Sequence, residues 1–188
     1  MPQLWIVAGP NGAGKTTLAL ARLAQRITVV NPDVIASSLP RIDGKLDERQ
    51  AGTKAIEWRN RLLVERADFA VETTLAGNTT LKLMRNAQTV GYKITLIYIG
   101  LASAALSASR VIARVKRGGH PVPLQHIERR YPDTMSKLRT AIEIADRAYV
   151  FDNSGVRRRL LLNRDKGRNK FVSTEMPSWA KTALEGIV

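Results

Sequence analysis

The stretch Gly9-Pro10-Asn11-Gly12-Ala13-Gly14-Lys15-Thr16 has the spacing G-x-x-x-x-G-K-[ST], and Thr17 follows it. Glycines at these positions let backbone N–H groups turn inward around phosphate oxygens. Lys15 supplies a point charge toward the β/γ oxygens, and the Thr16 hydroxyl suits Mg²⁺. The apolar run Leu4 to Ala8 before the loop reads as a buried strand. Leu18, Leu20 and Leu23 after it continue a helix over Lys15 to Gln25, whose positive end faces the anion. Loop, preceding strand and following helix agree on a bound nucleoside triphosphate with Mg²⁺, and ATP is the expected ligand.

Two carboxylates accompany the loop. Asn31-Pro32-Asp33 follows one apolar run, and Glu72-Thr73-Thr74 ends another. In open α/β sheets ligands sit beyond the carboxyl ends of the strands, so Asp33 and Glu72 are expected in one crevice with Lys15. One carboxylate can accept the proton of an attacking hydroxyl while the other binds substrate hydroxyls or metal-bound water. The competing assignments are that Asp33 caps a helix beginning at Val34 and that Glu72 forms a buried ion pair. The run ending Tyr98-Ile99-Gly100 carries no acid, so the Walker-B aspartate of motor and transport ATPases is missing there. A compact kinase, with its metal held by the loop threonine, the phosphates and water, tolerates that better.

Arginines form the second constellation. Leu101, Ala105, Ala108, Ile112 and Val115 recur at helical spacing, which sets Arg110, Arg114 and Arg117 on the opposite face. Gly118-Gly119-His120-Pro121-Val122-Pro123 interrupts the helix. A second helix then resumes through Leu124, Ile127, Tyr131, Leu138 and Ile142 and bears Arg129 and Arg130. Segment 101–130 has the outline of a lid whose arginines neutralise a transferring phosphoryl group. His120 reads as structural, because nothing nearby pairs it with a nucleophile.

The elements that must position these residues alternate. Strands are predicted at Leu4 to Ala8, Ile27 to Asn31, Phe69 to Glu72, Ile94 to Gly100 and Ala148 to Asp152. Helices are predicted at Asp47 to Ala67 and Thr80 to Val90. This order specifies an α/β fold, a single P-loop domain over 1–188 with a mostly parallel five-stranded sheet between helices. A hairpin at about 157–173, turning at Asp165-Lys166-Gly167, and a short helix near Pro177 complete it. Tyr149 and Phe151 alternate along the fifth strand and read as core.

With 188 residues the chain makes one domain of ordinary size, and it contains no cysteine. No apolar run approaches a membrane span and no signal peptide precedes the first strand, so a cytoplasmic protein is expected, without a membrane partner. Lysine and arginine number 30 against 16 acids, a net charge of +14 that favours anionic ligands or partners. Around the hairpin, Arg157, Arg158, Arg159, Arg164, Lys166, Arg168 and Lys170 have few aromatics between them, so single-strand stacking readout is not indicated. A solvated surface, a dock for an acidic protein and weak, salt-sensitive nucleic-acid binding remain the readings of this tail.

Taken together, Gly9 to Thr17, Asn31-Pro32-Asp33-Val34-Ile35-Ala36, Glu72-Thr73-Thr74-Leu75-Ala76-Gly77, Arg117-Gly118-Gly119-His120-Pro121-Val122-Pro123 and Asp152-Asn153-Ser154 resemble the zeta-toxin-like P-loop kinases over most of the chain. The resemblance implies ATP-dependent phosphorylation of a hydroxyl, with Asp33 matching the general base and Glu72 the substrate-binding acid. In well-known members the acceptor is the 3′-hydroxyl of the amino sugar of UDP-N-acetylglucosamine, and a small antitoxin blocks the nucleotide site. Lys15, Arg114, Arg117 and Arg130 are then catalytic candidates beside Asp33, and Thr73 and Arg129 join Glu72 as substrate-binding candidates. This chain is shorter at its C-terminal end than the longer toxins, and no antitoxin-like segment is visible. A kinase for a nucleoside, antibiotic or polynucleotide end, and a non-catalytic ATP-dependent switch, are the alternatives.

Overall fold

The computed structural model describes residues 1–17, 23–41 and 47–188. Its centre is a seven-stranded sheet in the order β2-β3-β1-β4-β5-β6-β7. Strands β1 (Gln3–Ala8), β2 (Thr28–Val30), β3 (Phe69–Thr73), β4 (Lys93–Gly100) and β5 (Arg147–Asp152) pair in parallel. The hairpin strands β6 (Arg159–Asp165) and β7 (Arg168–Val172) continue the same sheet antiparallel from β5. The five parallel strands and the hairpin lie where the sequence places them. The sheet is seven strands wide because the hairpin pairs with β5 instead of standing apart.

Parallel strands covered on both faces read as continuous apolar runs, and the core follows that rule. Leu4, Ile6, Phe69, Ile94, Leu96 and Tyr98 are fully buried. Helices α1 (Pro32–Ser38), α2 (Glu48–Val64), α3 (Asn78–Thr89), α4 (Ala104–Val115), α5 (Leu124–Ile144) and α6 (Ser178–Ala183) connect and cover the strands. Of the helix predicted over Lys15 to Gln25, positions 18–22, with Leu18 and Leu20, lie outside the described residues. Leu23 packs against Val7.

Register sets the depth of the carboxyl end of the sheet. Val7 pairs with Glu72 and Ala8 with Thr73, so β1 and β3 finish level and the Gly9 loop begins beside Glu72. Helix α5 is fastened across the strand ends by side chains. The Tyr131 hydroxyl donates to the Leu101 carbonyl at 2.7 Å, and the Thr134 hydroxyl donates to the Thr74 carbonyl.

Helix α4 packs differently from the predicted face. Ser107, Ala108 and Val111 are its buried residues, whereas Ile112 and Val115, assigned to the apolar face, are exposed. The reason is the phosphate loop. A Cβ on Gly12 would stand 2.9 Å from the Ser107 carbonyl oxygen and 3.0 Å from the Arg110 Cβ, and Gly12 has φ +70°. The helix meets the loop backbone to backbone, so it turns small residues toward it, and the Ser107 hydroxyl donates to the Asn11 carbonyl at 2.5 Å.

The C-terminal helix is anchored on β4. The Trp179 indole lies directly over Gly100, where no Cβ would fit, and its Nε1 donates to Asp152 Oδ1 at 3.1 Å. Phe151 is half-buried, with the Arg158 guanidinium 5.5 Å above its ring. No helix among the described residues is long and apolar enough to cross a membrane.

Candidate active site

Lys15 reaches back over its own loop. Its ammonium donates to the carbonyls of Gly9 and Pro10, both at 2.9 Å, and lies 4.0 Å from Glu72 Oε1. Burial lowers the Lys15 pKa, while the charges of Glu72 and Asp33 act to raise it. Burial likewise raises the pKa of Glu72, opposed by Lys15 and by the Thr16 hydroxyl, which donates to Oε2 at 3.2 Å. The ion-pair assignment for Glu72 therefore describes part of its environment, with Lys15 as partner.

Asn31 organises the two acids. Its Oδ1 accepts the Asp33 backbone N–H at 2.9 Å, which makes Asn31 the N-cap of α1, and its Nδ2 donates to Glu72 Oε2 at 2.7 Å. The alternative assignment of Asp33 as the cap is thereby overturned: Pro32 occupies the first helical position and Asp33 the second. Asn-Pro-Asp carries this signal, since asparagine before an N1 proline is a strong start, and the competing reading placed the cap on Asp33 instead. The Asp33 carboxylate is left exposed and uncommitted to the helix.

A cavity of about 440 Å³ opens among these groups, within the size range of small-molecule sites. Lys15, Asp33, Glu72 and Thr73 line its floor, and Arg129 and Arg130, from the start of α5, line it from the other side. His120, read as structural, also lines it. Arg114 stands behind this wall. Its Nη2 donates to the His120 carbonyl at 2.6 Å, its Nε is buried without a partner among the described residues, and its charge acts on both Lys15 and Glu72. Arg117 is exposed just beyond α4, outside the lining residues. The segment read as a lid thus combines a helix docked on the phosphate loop with arginines contributed by the next helix.

The Asp152-Asn153-Ser154 segment closes the loop from the opposite side. Asn153 Nδ2 donates to the Ala13 carbonyl at 2.9 Å, and Asp152 Oδ1 accepts from the Ser154 hydroxyl and from Trp179. Arg110 donates to the Ser154 carbonyl at 3.3 Å. Sequence reading marked this segment without assigning it a role; its contacts make it a brace for residues 13 and 14.

The sequence model of the zeta toxin family matches residues 1–165, a span that holds every residue of the cavity. This chain belongs to the zeta toxin family. An uncharacterized protein of Haemophilus influenzae (strain ATCC 51907 / DSM 11121 / KW20 / Rd) is 31% identical over 136 residues, which cover 69% of this chain and 97% of that protein. The native AvrRxo1-ORF1:-ORF2 complex superposes with a TM-score of 0.76 at 18% identity, covering 98% of this chain and 63% of the matched chain. The same complex with ATP gives 0.74 at 19% identity over 90% and 60%. The PezAT chromosomal toxin-antitoxin system of Streptococcus pneumoniae gives 0.59 at 19% identity over 84% and 72%. At these identities the structures establish the fold, a P-loop α/β domain shared with zeta toxins. The chain spans about three fifths of the length of the AvrRxo1 chains it matches.

Proposed function

We propose that the protein is an ATP- and Mg²⁺-dependent kinase that phosphorylates a hydroxyl of a sugar nucleotide, UDP-N-acetylglucosamine or a related UDP-sugar. The observation that carries this reading is the convergence of Asp33, Glu72 and Lys15 on one cavity faced by Arg129 and Arg130. Membership of the zeta toxin family and a similar fold solved with ATP support the nucleotide; the acceptor class follows from the resemblance to the zeta toxins.

In this scheme residues Gly9 to Thr17 cradle the triphosphate, and Lys15 exchanges its two carbonyl partners for phosphate oxygens. Asp33 is the general base: exposed to the cavity and free of capping duty, it accepts the proton of the acceptor hydroxyl as the phosphoryl group transfers. Glu72 and Thr73 hold the acceptor, with Arg129 beside them. Arg130 stabilises charge developing on the phosphoryl oxygens, and Arg114 adds a fixed positive charge from behind. Arg117 joins only if the 101–130 lid closes further.

Thr16 and Glu72 bring hydroxyl and carboxylate oxygens together, the hard donors that suit Mg²⁺. Among the described residues no group of three or more His, Cys, Asp and Glu forms a metal cage, so Thr16 would hold the ion with help from phosphate and water. Bound there, Mg²⁺ neutralises phosphate charge. A small acidic antitoxin-like protein is the proposed macromolecular partner, in keeping with the toxin-antitoxin system among the similar folds. Nucleic-acid binding by the hairpin is weak and lost with salt.

Asp33→Asn tests the reading, because asparagine keeps the size of aspartate but takes no proton. Loss of a positioned base lowers turnover by about 10²- to 10⁴-fold. ATP affinity, read by calorimetry, stays near that of the wild type. Incubation with ATP, Mg²⁺ and UDP-sugars, nucleosides and oligonucleotides, scored by a phosphate mass gain, identifies the acceptor. An Asp33→Asn variant that transfers phosphate at the wild-type rate removes Asp33 from the mechanism.

A further inference from the structure

A second cavity, of about 170 Å³, adjoins the first between α2 and the ends of β2 and β3. The two share Pro32, Glu72, Thr73, Thr79 and Thr80, so they are contiguous next to Asp33. Gly52, Ala55, Ile56 and Arg59 line it from α2, at the three- and four-residue steps of one helical face. That face borders the core: Ala51, Ala55 and Leu62 are buried along the helix, while Ile56 is exposed and Arg59 half-buried. Arg59 thus stands at the margin of the core, with its side chain in the cavity lining.

Arg59 has no partner among the described residues. Its Nε is buried without a hydrogen bond, and the guanidinium forms no ion pair with any of them. Glu72, the carboxylate in the same lining, is already engaged by Asn31, Thr16 and Lys15. A guanidinium stays charged in proteins, and shielding part of one from water without an anion, as at Arg59 Nε, is unfavourable. Burial accordingly lowers its pKa. The planar fork of donors matches the oxygens of a phosphate or carboxylate.

We infer that this cavity is an anion subsite, in which Arg59 holds a phosphate or carboxylate group of the molecule whose hydroxyl faces Asp33. The inference rests on the kinase reading for the identity of that molecule. It makes the acceptor an acidic or phosphorylated sugar derivative and excludes a neutral one.

The test is a binding measurement, so it does not depend on transfer. With the phosphate loop saturated by a non-hydrolysable ATP analogue and Mg²⁺, three probes are titrated calorimetrically: N-acetylglucosamine 1-phosphate, glucuronate and neutral N-acetylglucosamine. Wild type binds at least one charged probe about tenfold or more tighter than the neutral one, the loss expected for one hydrogen bond to a charged group. Comparing the two charged probes tells phosphate from carboxylate. Arg59→Gln abolishes the difference and leaves the neutral probe and the ATP analogue unchanged, and Arg59→Lys restores part of it. Without ligand, Arg59→Gln melts at the same or a higher temperature, since an uncompensated charge has been removed; a merely structural arginine would melt lower.

Gly52→Leu is the independent arm. Among the described residues no atom lies within 4 Å of where a Gly52 Cβ would stand, so the larger side chain has room there and fills the cavity. It excludes the charged probes with Arg59 intact. Charged-probe affinity unaffected by Arg59→Gln, equal losses for charged and neutral probes, or no charged probe bound by wild type at millimolar concentration overturns the inference. Wild type that selects anions through Arg59 but phosphorylates no acceptor refutes the kinase reading and leaves the anion site standing.

Discussion

Replacing Gly100 by alanine is a one-methyl perturbation whose effect the packing allows to be worked out. The new Cβ would stand 2.1 Å from Trp179 Cη2, 2.3 Å from Cζ2 and 2.7 Å from Cζ3. Carbon atoms prefer about 3.5–4.0 Å, so the indole must retreat by more than about 1 Å. It cannot do so in place: Trp179 is 8% exposed and its Nε1 is 3.1 Å from Asp152 Oδ1, close to the limit of a useful hydrogen bond. Overpacking costs about 1–3 kcal/mol, and a weakened bond to a carboxylate adds up to about 1.5–3 kcal/mol. The sum is capped by letting the tryptophan leave altogether, about 3–5 kcal/mol. A loss of about 3 kcal/mol follows, and for a chain of this length it lowers Tm by about 6–12 °C. Thermal unfolding followed by far-ultraviolet circular dichroism reads it. Trp179→Ala removes the obstacle, so Gly100→Ala on that background shifts stability by less than about 0.5 kcal/mol, the mark of a direct contact in a double-mutant cycle. A wild-type Tm for Gly100→Ala, or the same loss with and without the indole, would refute the argument. Because Asp152 leads into the Asn153 brace on Ala13, Gly100→Ala also weakens ATP binding while leaving every loop residue intact.

Asn31→Ala removes the α1 cap and the 2.7 Å bond to Glu72 together; it lowers stability by about 1–3 kcal/mol in urea unfolding and reduces turnover more than ATP affinity, whereas a stability loss with normal turnover would confine Asn31 to capping. The pH dependence of stability follows from the burial that raises Glu72. Between its ordinary value of 4.5 and the raised folded value, the native state holds the proton that the unfolded chain releases, so the Glu72 contribution falls as pH rises through that window. Urea unfolding from pH 4 to 8 should therefore show Glu72→Gln gaining on wild type as pH increases, and a wild type that gains on the variant would reverse the sign of the argument.

Much of this molecule is written in local signals. Short apolar runs ended by polar residues mark the five parallel strands, and the loop pattern together with the rule for strand ends brings Asp33 and Glu72 to one cavity with Lys15. What escapes is decided by contacts distant in sequence. The buried face of α4 follows the close approach of Ser107 to Gly12, which no periodicity encodes, and so Ile112 and Val115 point to solvent. The capping role of Asn31 was within reach, but a carboxylate is a more familiar cap than the amide before it. Arg59 was hidden by its type: on a charged helix an arginine reads as solvated surface, and only packing against β2 and β3 turns it inward. Arg129 and Arg130 reach the cavity, and Arg117 does not, because α5 is pinned to the strand ends by Tyr131 and Thr134.

The strand order also divides the protein's charge into two electrically separate populations. Neighbouring strands lie about 4.8 Å apart, so β6 and β7 run about 14 and 19 Å from β1, and β7 is about 29 Å from β2, which leads to Asp33. At physiological ionic strength the screening length is about 8 Å. The cations at the turn and outer strand of the hairpin, Arg164, Lys166, Arg168 and Lys170, are therefore silent at the crevice, whereas Arg159, 3.5 Å from Asp152, stays close to the phosphate loop. Column behaviour, solubility and adhesion to polyanions report the hairpin edge, and the salt dependence of ligand binding reports the arginines of the cavity. Only in dilute buffer, where the screening length grows to about 30 Å, do the two merge into a single field.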